Sequence, residues 1–184
     1  MLATLGQLPA GEGWAFEMKW DGQRAVTEDR GGTVRLFSRN GNDITSAFPE
    51  LTAPIADATD SHDVILDGEV VALDTKGRPS FSRLQRRMHV LRPTMQLRND
   101  FPVTYYVFDL LALDGESTTG LPYLERRALL DGLALRGREV QCRRSGPMSM
   151  ATGCSLWPAS ITSRVWSRNA STRHTGPAGG LRPG

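Results

Sequence analysis

Lysine is nearly missing from this chain. Of 22 basic residues only Lys19 and Lys76 are lysines; the rest are arginines, and no lysine follows Lys76. Cysteine is also scarce: Cys142 and Cys154 are the two in the chain. Their spacing fits no common metal motif, so a disulfide scaffold is excluded and zinc is unsupported. Acid stops abruptly. All 20 acidic residues lie before residue 140, whereas residues 141–184 hold six arginines and no acid. No run of about 18 apolar residues occurs, which excludes a transmembrane helix and a membrane partner. The N-terminus has neither a basic region nor a long apolar one, so no signal peptide is expected and a cytoplasmic protein is. His62, His89 and His174 share no pattern and receive no role. What remains is ordinary: 39% hydrophobic residues over 184 positions, enough for one domain with a real core, or one domain and a tail.

Against this arginine preference, Lys19 carries information. Arginine is effectively never deprotonated, whereas a lysine amine can be. A lysine at this position points to chemistry that needs an amine rather than simply a positive charge.

Residues 14–20 alternate, with Trp14, Phe16, Met18 and Trp20 on one face and Glu17 and Lys19 on the other, the pattern of a half-buried strand. Asp21-Gly22 turns into a returning strand over 23–28, and Arg30-Gly31-Gly32 turns into a third over 33–38. A polar loop covers 39–45, and a short helix is expected around 47–57 with Pro49 near its first turn. Val64 to Leu73 reads as a strong strand interrupted by Asp67-Gly68-Glu69. Ser80 is placed to cap a basic helix from Phe81 to His89, with Arg83, Arg86 and Arg87 on a solvated face. Residues 102–112 form a second strong strand. Pro122 opens a helix that turns Leu124, Leu129, Leu130 and Leu133 inward and ends near Gly137. The reading is α+β with antiparallel strands. Beyond about residue 140, Ser, Arg, Gly, Pro, Thr and Ala dominate and apolar periodicity is lost, the composition of loop or disorder.

Four short elements stand out: Lys19-Trp20-Asp21-Gly22-Gln23-Arg24, Ser38-Arg39-Asn40-Gly41, Leu66-Asp67-Gly68-Glu69-Val70 and Tyr106-Val107-Phe108-Asp109. Singly each is unremarkable, since Asp-Gly pairs are common turns and a strand phenylalanine is usually core. Together and in this order they resemble the covalent nucleotidyltransferases, which comprise DNA ligases, RNA ligases and mRNA capping enzymes. Lys19 to Arg24 matches that family's Lys-x-Asp-Gly-x-Arg motif. The wider phrasing is similar to the adenylation domain of bacterial ATP-dependent DNA ligases that serve non-homologous end joining. It extends through Trp14–Arg24, Ser38–Thr45, Leu66–Asp74, Arg78–His89 and Val103–Gly115.

The resemblance implies an antiparallel-sheet, ATP-grasp-like nucleotidyltransferase fold over residues 1–140, truncated and without the OB-fold domain that normally follows. It implies that Lys19 attacks the α-phosphate of ATP and becomes a lysyl phosphoramidate, which arginine could not form. Glu17 would contact the adenine amino group, and Arg24 and Arg39 the ribose or phosphates. Glu69 would act on the ribose or metal side, and Phe108 would stack on adenine. Asp21, Gly22, Asp67 and Asp109 complete the motifs, the aspartates either ordering the lysine and the metal or capping turns. Mg²⁺ or Mn²⁺ is implied by the phosphoryl chemistry. The partners would be nicked or broken double-stranded DNA in repair and recombination, with end-joining proteins, in the cytoplasm at the nucleoid.

The family's later motif, Glu-Gly-Val-Val-Ala-Lys, is absent, and so are the further lysines that follow it. Residues 163–181 offer a reason. Read two bases out of register, with permitted codons, they yield Glu-Gly-Val-Val-Ala-Lys-Arg-Leu-Asp-Ser-Thr-Tyr-Arg-Pro-Gly-Arg-Arg-Ser. A frame shift near residues 140–146 therefore accounts for the lost acids, the lost periodicity and the cysteines together. A basic DNA-binding arm over 141–184 is the rival reading, and explains only the charge. On the frame-shift reading the chain is an impaired ligase. The alternatives for function are a non-catalytic ligase fragment that binds ATP or DNA, or a related RNA ligase or capping nucleotidyltransferase.

Overall fold

A computed structural model describes residues 20–142, together with the backbone of two strands at 14–18 and 163–167. Strands β1 (Trp14–Met18), β2 (Gln23–Arg30) and β3 (Thr33–Ser38) come first. Two 3-10 turns, Thr45–Ala47 and Pro49–Leu51, lead into helix α1 (Thr52–Thr59). Pro49 opens the second turn, where its missing N–H costs nothing. Then come β4 (Val64–Ala72), α2 (Phe81–Gln85), α3 (Met95–Asp100), β5 (Val103–Leu113), β6 (Glu116–Ser117), α4 (Tyr123–Gly132), β7 (Val140–Cys142) and β8 (Ser163–Ser167).

The main sheet runs β3-β2-β4-β5-β6, antiparallel throughout, with β7 added parallel to β5. This is the α+β arrangement expected from the sequence. Strand alternation separates two faces. Ala25, Leu36, Leu66, Val70, Ala72, Tyr105, Val107 and Leu110 belong to the main core with Phe48, Leu51, Ile55, Leu84 and Leu130 from the helical segments. Val71 and Tyr106, of opposite parity, form a second small cluster with Trp20. Among the described residues no helix is long and apolar enough to cross a membrane.

Several expectations change. Helix α2 stops at Gln85 rather than His89, and Ser80 makes no side-chain cap; its hydroxyl meets that of Ser82 at 3.2 Å. The chain beyond turns with His89 and Arg92 at φ 64° and 54°, and Pro93 disfavours helix in the residue before it. Arg87 does not lie on a solvated face. It is fully buried, donating to the carbonyls of Phe101 (2.9 Å) and Ala47 (3.2 Å) and pairing with Glu50. Helix α3 was not anticipated; Thr94 caps it by accepting from Leu97 N at 3.2 Å.

Helix α4 follows Pro122 as expected but ends at Gly132, and its inward stripe differs. Leu124 and Leu129 are 42% and 38% exposed, while Tyr123, Arg126, Arg127 and Leu130 are buried. Those four positions have ideal helical spacing. Two arginines occupy the stripe because β5 presents acceptors to them. In the stretch expected to be loop, β8 forms a two-stranded antiparallel pair with β1, Met18 opposite Ser163 and Trp14 opposite Ser167.

Candidate functional site

The site is built on β2, β4 and β5. The turn at Gly22 leads into β2, and its close approach to β4 requires glycine. A Cβ there would lie 2.3 Å from the Val70 carbonyl oxygen and 2.8 Å from Glu69 Cγ. Gly68 is required on the same ground, because a Cβ would lie 2.5 Å from the Tyr105 ring. That ring lies against Gly68, and its single hydroxyl proton is shared between the carbonyls of Ala25 (3.0 Å) and Leu66 (3.3 Å), tying β5 to β2 and β4. Complete burial pushes the Tyr105 hydroxyl well above its ordinary pKa, so it remains a donor.

Register then assembles the polar groups. Arg24 sits opposite Glu69 on β4, and Asp67 sits opposite Asp109 on β5. Two buried carboxylates facing each other across a ladder would repel. Each is neutralised by its own arginine. Arg24 Nε donates to Asp67 Oδ1 at 2.9 Å and its NH2 pairs with Oδ2. Arg126 grips Asp109 through Nε (2.8 Å) and NH2 (2.9 Å), and its NH1 donates to the Leu121 carbonyl at 2.7 Å. Such fork-to-fork pairs are directional as well as strong. The hydrogen bond to Asp67 raises the Arg24 pKa further, against partial desolvation, with the charges of Asp67, Glu69 and Asp109 adding to it.

Phe108 lies beside these pairs. Its ring is 8% exposed, with the Arg24 guanidinium carbon 5.9 Å from its centroid, inside cation–π range. Trp20, immediately after Lys19, stacks on Tyr106 with ring centroids 3.8 Å apart and planes 12° from parallel. That stack anchors the chain just after the lysine.

Lys19 itself and the side chain of Glu17 lie outside the described residues. Asp21 is exposed in the turn. Arg39 is exposed too; it follows Ser38, the register partner of Ala25, and so reaches the end of β2 that carries Arg24. The structure thus brings together Arg24, Asp67, Glu69, Phe108 and Asp109. Sequence reading named Tyr106 within a motif without assigning it a role, and overlooked Arg126 and Arg127. The Tyr123, Arg126, Arg127, Leu130 spacing was the available signal for the arginines. Among the described residues no group of three or more His, Cys, Asp or Glu could hold a metal. Asp67 and Asp109 are engaged by arginines, and Glu69, the register partner of Arg24, is the carboxylate that the resemblance assigns to the metal side. That suits Mg²⁺, which binds through one or two carboxylates with substrate phosphates and water.

The model of the ATP dependent DNA ligase domain family matches residues 5–147. The chain belongs to that family. This ligase domain is 46% identical over 136 residues to the multifunctional non-homologous end joining protein LigD of Mycobacterium bovis, covering 73% of this chain and 16% of that protein. A DNA ligase of Methanosphaerula palustris is 40% identical over 131 residues, covering 71% of this chain and 22% of that one. Among solved structures, the ligase domain of M. tuberculosis LigD superposes with a TM-score of 0.61 at 42% identity, over 73% of this chain and 41% of that chain. A mycobacterial DNA ligase D complexed with ATP and MES gives a TM-score of 0.57 at 45% identity, over 66% and 36% respectively. The ligase domain here therefore spans about a sixth of the length of LigD, at 16%.

Proposed function

We propose that this chain is the adenylation domain of an ATP-dependent DNA ligase, impaired by an out-of-frame C-terminal segment. In the complete reaction the Lys19 amine attacks the α-phosphorus of ATP. A nitrogen–phosphorus bond forms, the bond to pyrophosphate breaks, and the amine proton passes to solvent. The AMP is next transferred to the 5′-phosphate of a nick. The 3′-hydroxyl then attacks that phosphate, AMP departs, and the strand is sealed.

Glu17 reads the adenine amino group, and Phe108 covers a face of the base. Arg24 and Arg39 serve the ribose and phosphates, with Arg24 pre-aimed by Asp67. Glu69 serves the ribose or, with the triphosphate oxygens, holds Mg²⁺ or Mn²⁺, which when bound neutralises developing charge. The substrate is nicked or broken double-stranded DNA in the cytoplasm, and end-joining proteins are the partners. What supports this reading most is the convergence of Arg24, Glu69 and Phe108 beside the turn that follows Lys19.

The frame-shift reading gains one further support from the codons upstream of Ser163. Extended back to Met150, the shifted frame admits Gly-Asp-Gly-Leu-Leu-Ala-Val-Ala-Arg-Gln-His-His-Leu, which has an acid and no proline. Sequencing the gene decides the matter. If no one- or two-base change restores this reading, the segment is in frame and the basic-arm reading replaces it.

The enzymatic reading is tested by incubating the chain with Mg²⁺ and α-labelled ATP or GTP. Weak or absent label from ATP is expected, lost in Lys19→Ala, with no nick sealing. Label from GTP alone would reassign the chain to the capping enzymes. Robust sealing would show that it is not impaired.

A further inference from the structure

The β4–β5 register slips between Ile65 and Leu66 and again between Asp67 and Gly68; at the second slip Asp67 faces Asp109, yet Gly68 faces Val107. The ladder therefore passes over Phe108, which sits in a bulge. A bulge re-aims a side chain but disrupts the ladder around it, so something must fix its backbone. Helix α4 does so. Arg127 NH1 donates to the Phe108 carbonyl at 3.2 Å, and its NH2 reaches Asp131 at 3.2 Å. One residue on, Arg126 grips both oxygens of Asp109, and Asp109 Oδ1 in turn accepts from Leu110 N at 3.0 Å. Both arginines are buried, at 0% and 3% exposure. From the other side Arg24, fixed by Asp67, lies over the Phe108 ring. The bulge is thus held between two arginine–aspartate pairs whose carboxylates are register partners.

We infer that Arg126, Arg127 and Asp109 are positioning residues that set the Phe108 ring for the purine, acting through the bulged backbone rather than by touching nucleotide. This rests on the reading of Phe108 as the base-stacking residue. A helix whose inward stripe were apolar would bury as much surface. Two arginines in that stripe, aimed at consecutive residues of a bulge, are explained by a need to fix its geometry.

The test uses the full chain and three variants: Arg126→Lys, Asp109→Asn and the milder Arg127→Gln. Binding of ATP and of inorganic tripolyphosphate, which has no base, is measured by equilibrium dialysis, and the Phe108 ring resonances are followed by NMR. Thermal unfolding fixes a temperature at which each variant is folded. A fall of ten-fold or more in ATP affinity, with less than two-fold change for tripolyphosphate and a displaced Phe108 resonance, is expected. Equal losses for both ligands would reduce the arginines to general structural supports and overturn the inference. Unchanged ATP affinity in a folded variant would overturn it as well. If the unmodified chain binds no ATP, the nucleotide reading of this chain fails separately. The Phe108 resonance then decides alone, displacement upholding the clamp and constancy refuting it.

Discussion

The two faces of the central sheet are held by different physics. On the core face, Ala25, Leu36, Leu66, Val70, Val107 and Leu110 are buried against the helical segments, and cohesion comes from apolar area removed from water. On the other face, buried charges hold one another: Asp67 with Arg24 and Asp109 with Arg126. The first kind of order tolerates substitution so long as volume is kept. The second fails when one partner is lost, because the other is left charged and desolvated. A sheet with one forgiving face and one exacting face suits a domain whose fold supports a reactive site.

Breaking the exacting face gives the largest expected effect. Arg126→Ala should destabilise by about 3–5 kcal/mol, by stranding Asp109. Replacing both with leucine should recover most of that stability in urea unfolding. Failure to recover would mean that the pair contributes net stability and not only geometry. On the forgiving face, Leu110→Ala should cost about 2–5 kcal/mol, whereas Leu110→Met should cost less than about 1.5 kcal/mol. Equal costs would erase the contrast between the faces.

Smaller effects sharpen the comparison. Arg24→Lys removes the fork while keeping the charge at a partly exposed site, so stability should change by about 1 kcal/mol or less while ATP affinity falls; unfolding and dialysis together separate the two. Smallest is an exposed carboxylate outside the site. Asp43 has a lowered pKa, first through the Thr45 hydroxyl, then the Thr45 N–H and Arg35. A depressed folded-state pKa favours the fold above the ordinary carboxylate value and loses that contribution as pH falls through the depressed one. Thr45→Val should raise the Asp43 midpoint toward the ordinary value, read by carboxyl-carbon NMR. An unmoved midpoint would assign the shift to Arg35 and the Thr45 N–H instead.

The forgiving face was legible in the sequence because the alternation in Thr33–Ser38 and the apolar ends of Val64–Ala72 are local signals, and so were the turns at Asp21-Gly22 and Arg30-Gly31-Gly32. The motif residues on β2, β4 and β5 were legible through family resemblance. Their wiring was not. Arg126 and Asp109 are 17 positions apart, and Arg24 and Asp67 are 43 apart; no local period reports such pairs. Leucines at Leu124 and Leu129 misled because hydrophobicity was read ahead of spacing, and Arg87 because a charge run suggested solvent. Helix α3 was missed because Thr94 after Pro93 is a short signal within a polar stretch. The bulge at Phe108 depends on the register of two strands and is invisible in either alone.

The central claim is that residues 1–140 carry a ligase adenylation pocket whose later elements are encoded out of frame. The most direct test is label transfer from α-labelled ATP to the chain as it stands, to a frame-restored chain and to the restored chain bearing Lys19→Ala. The account predicts weak or no label in the first, strong label at Lys19 in the second and none in the third. No label on the restored chain, or label that survives loss of Lys19, would contradict it.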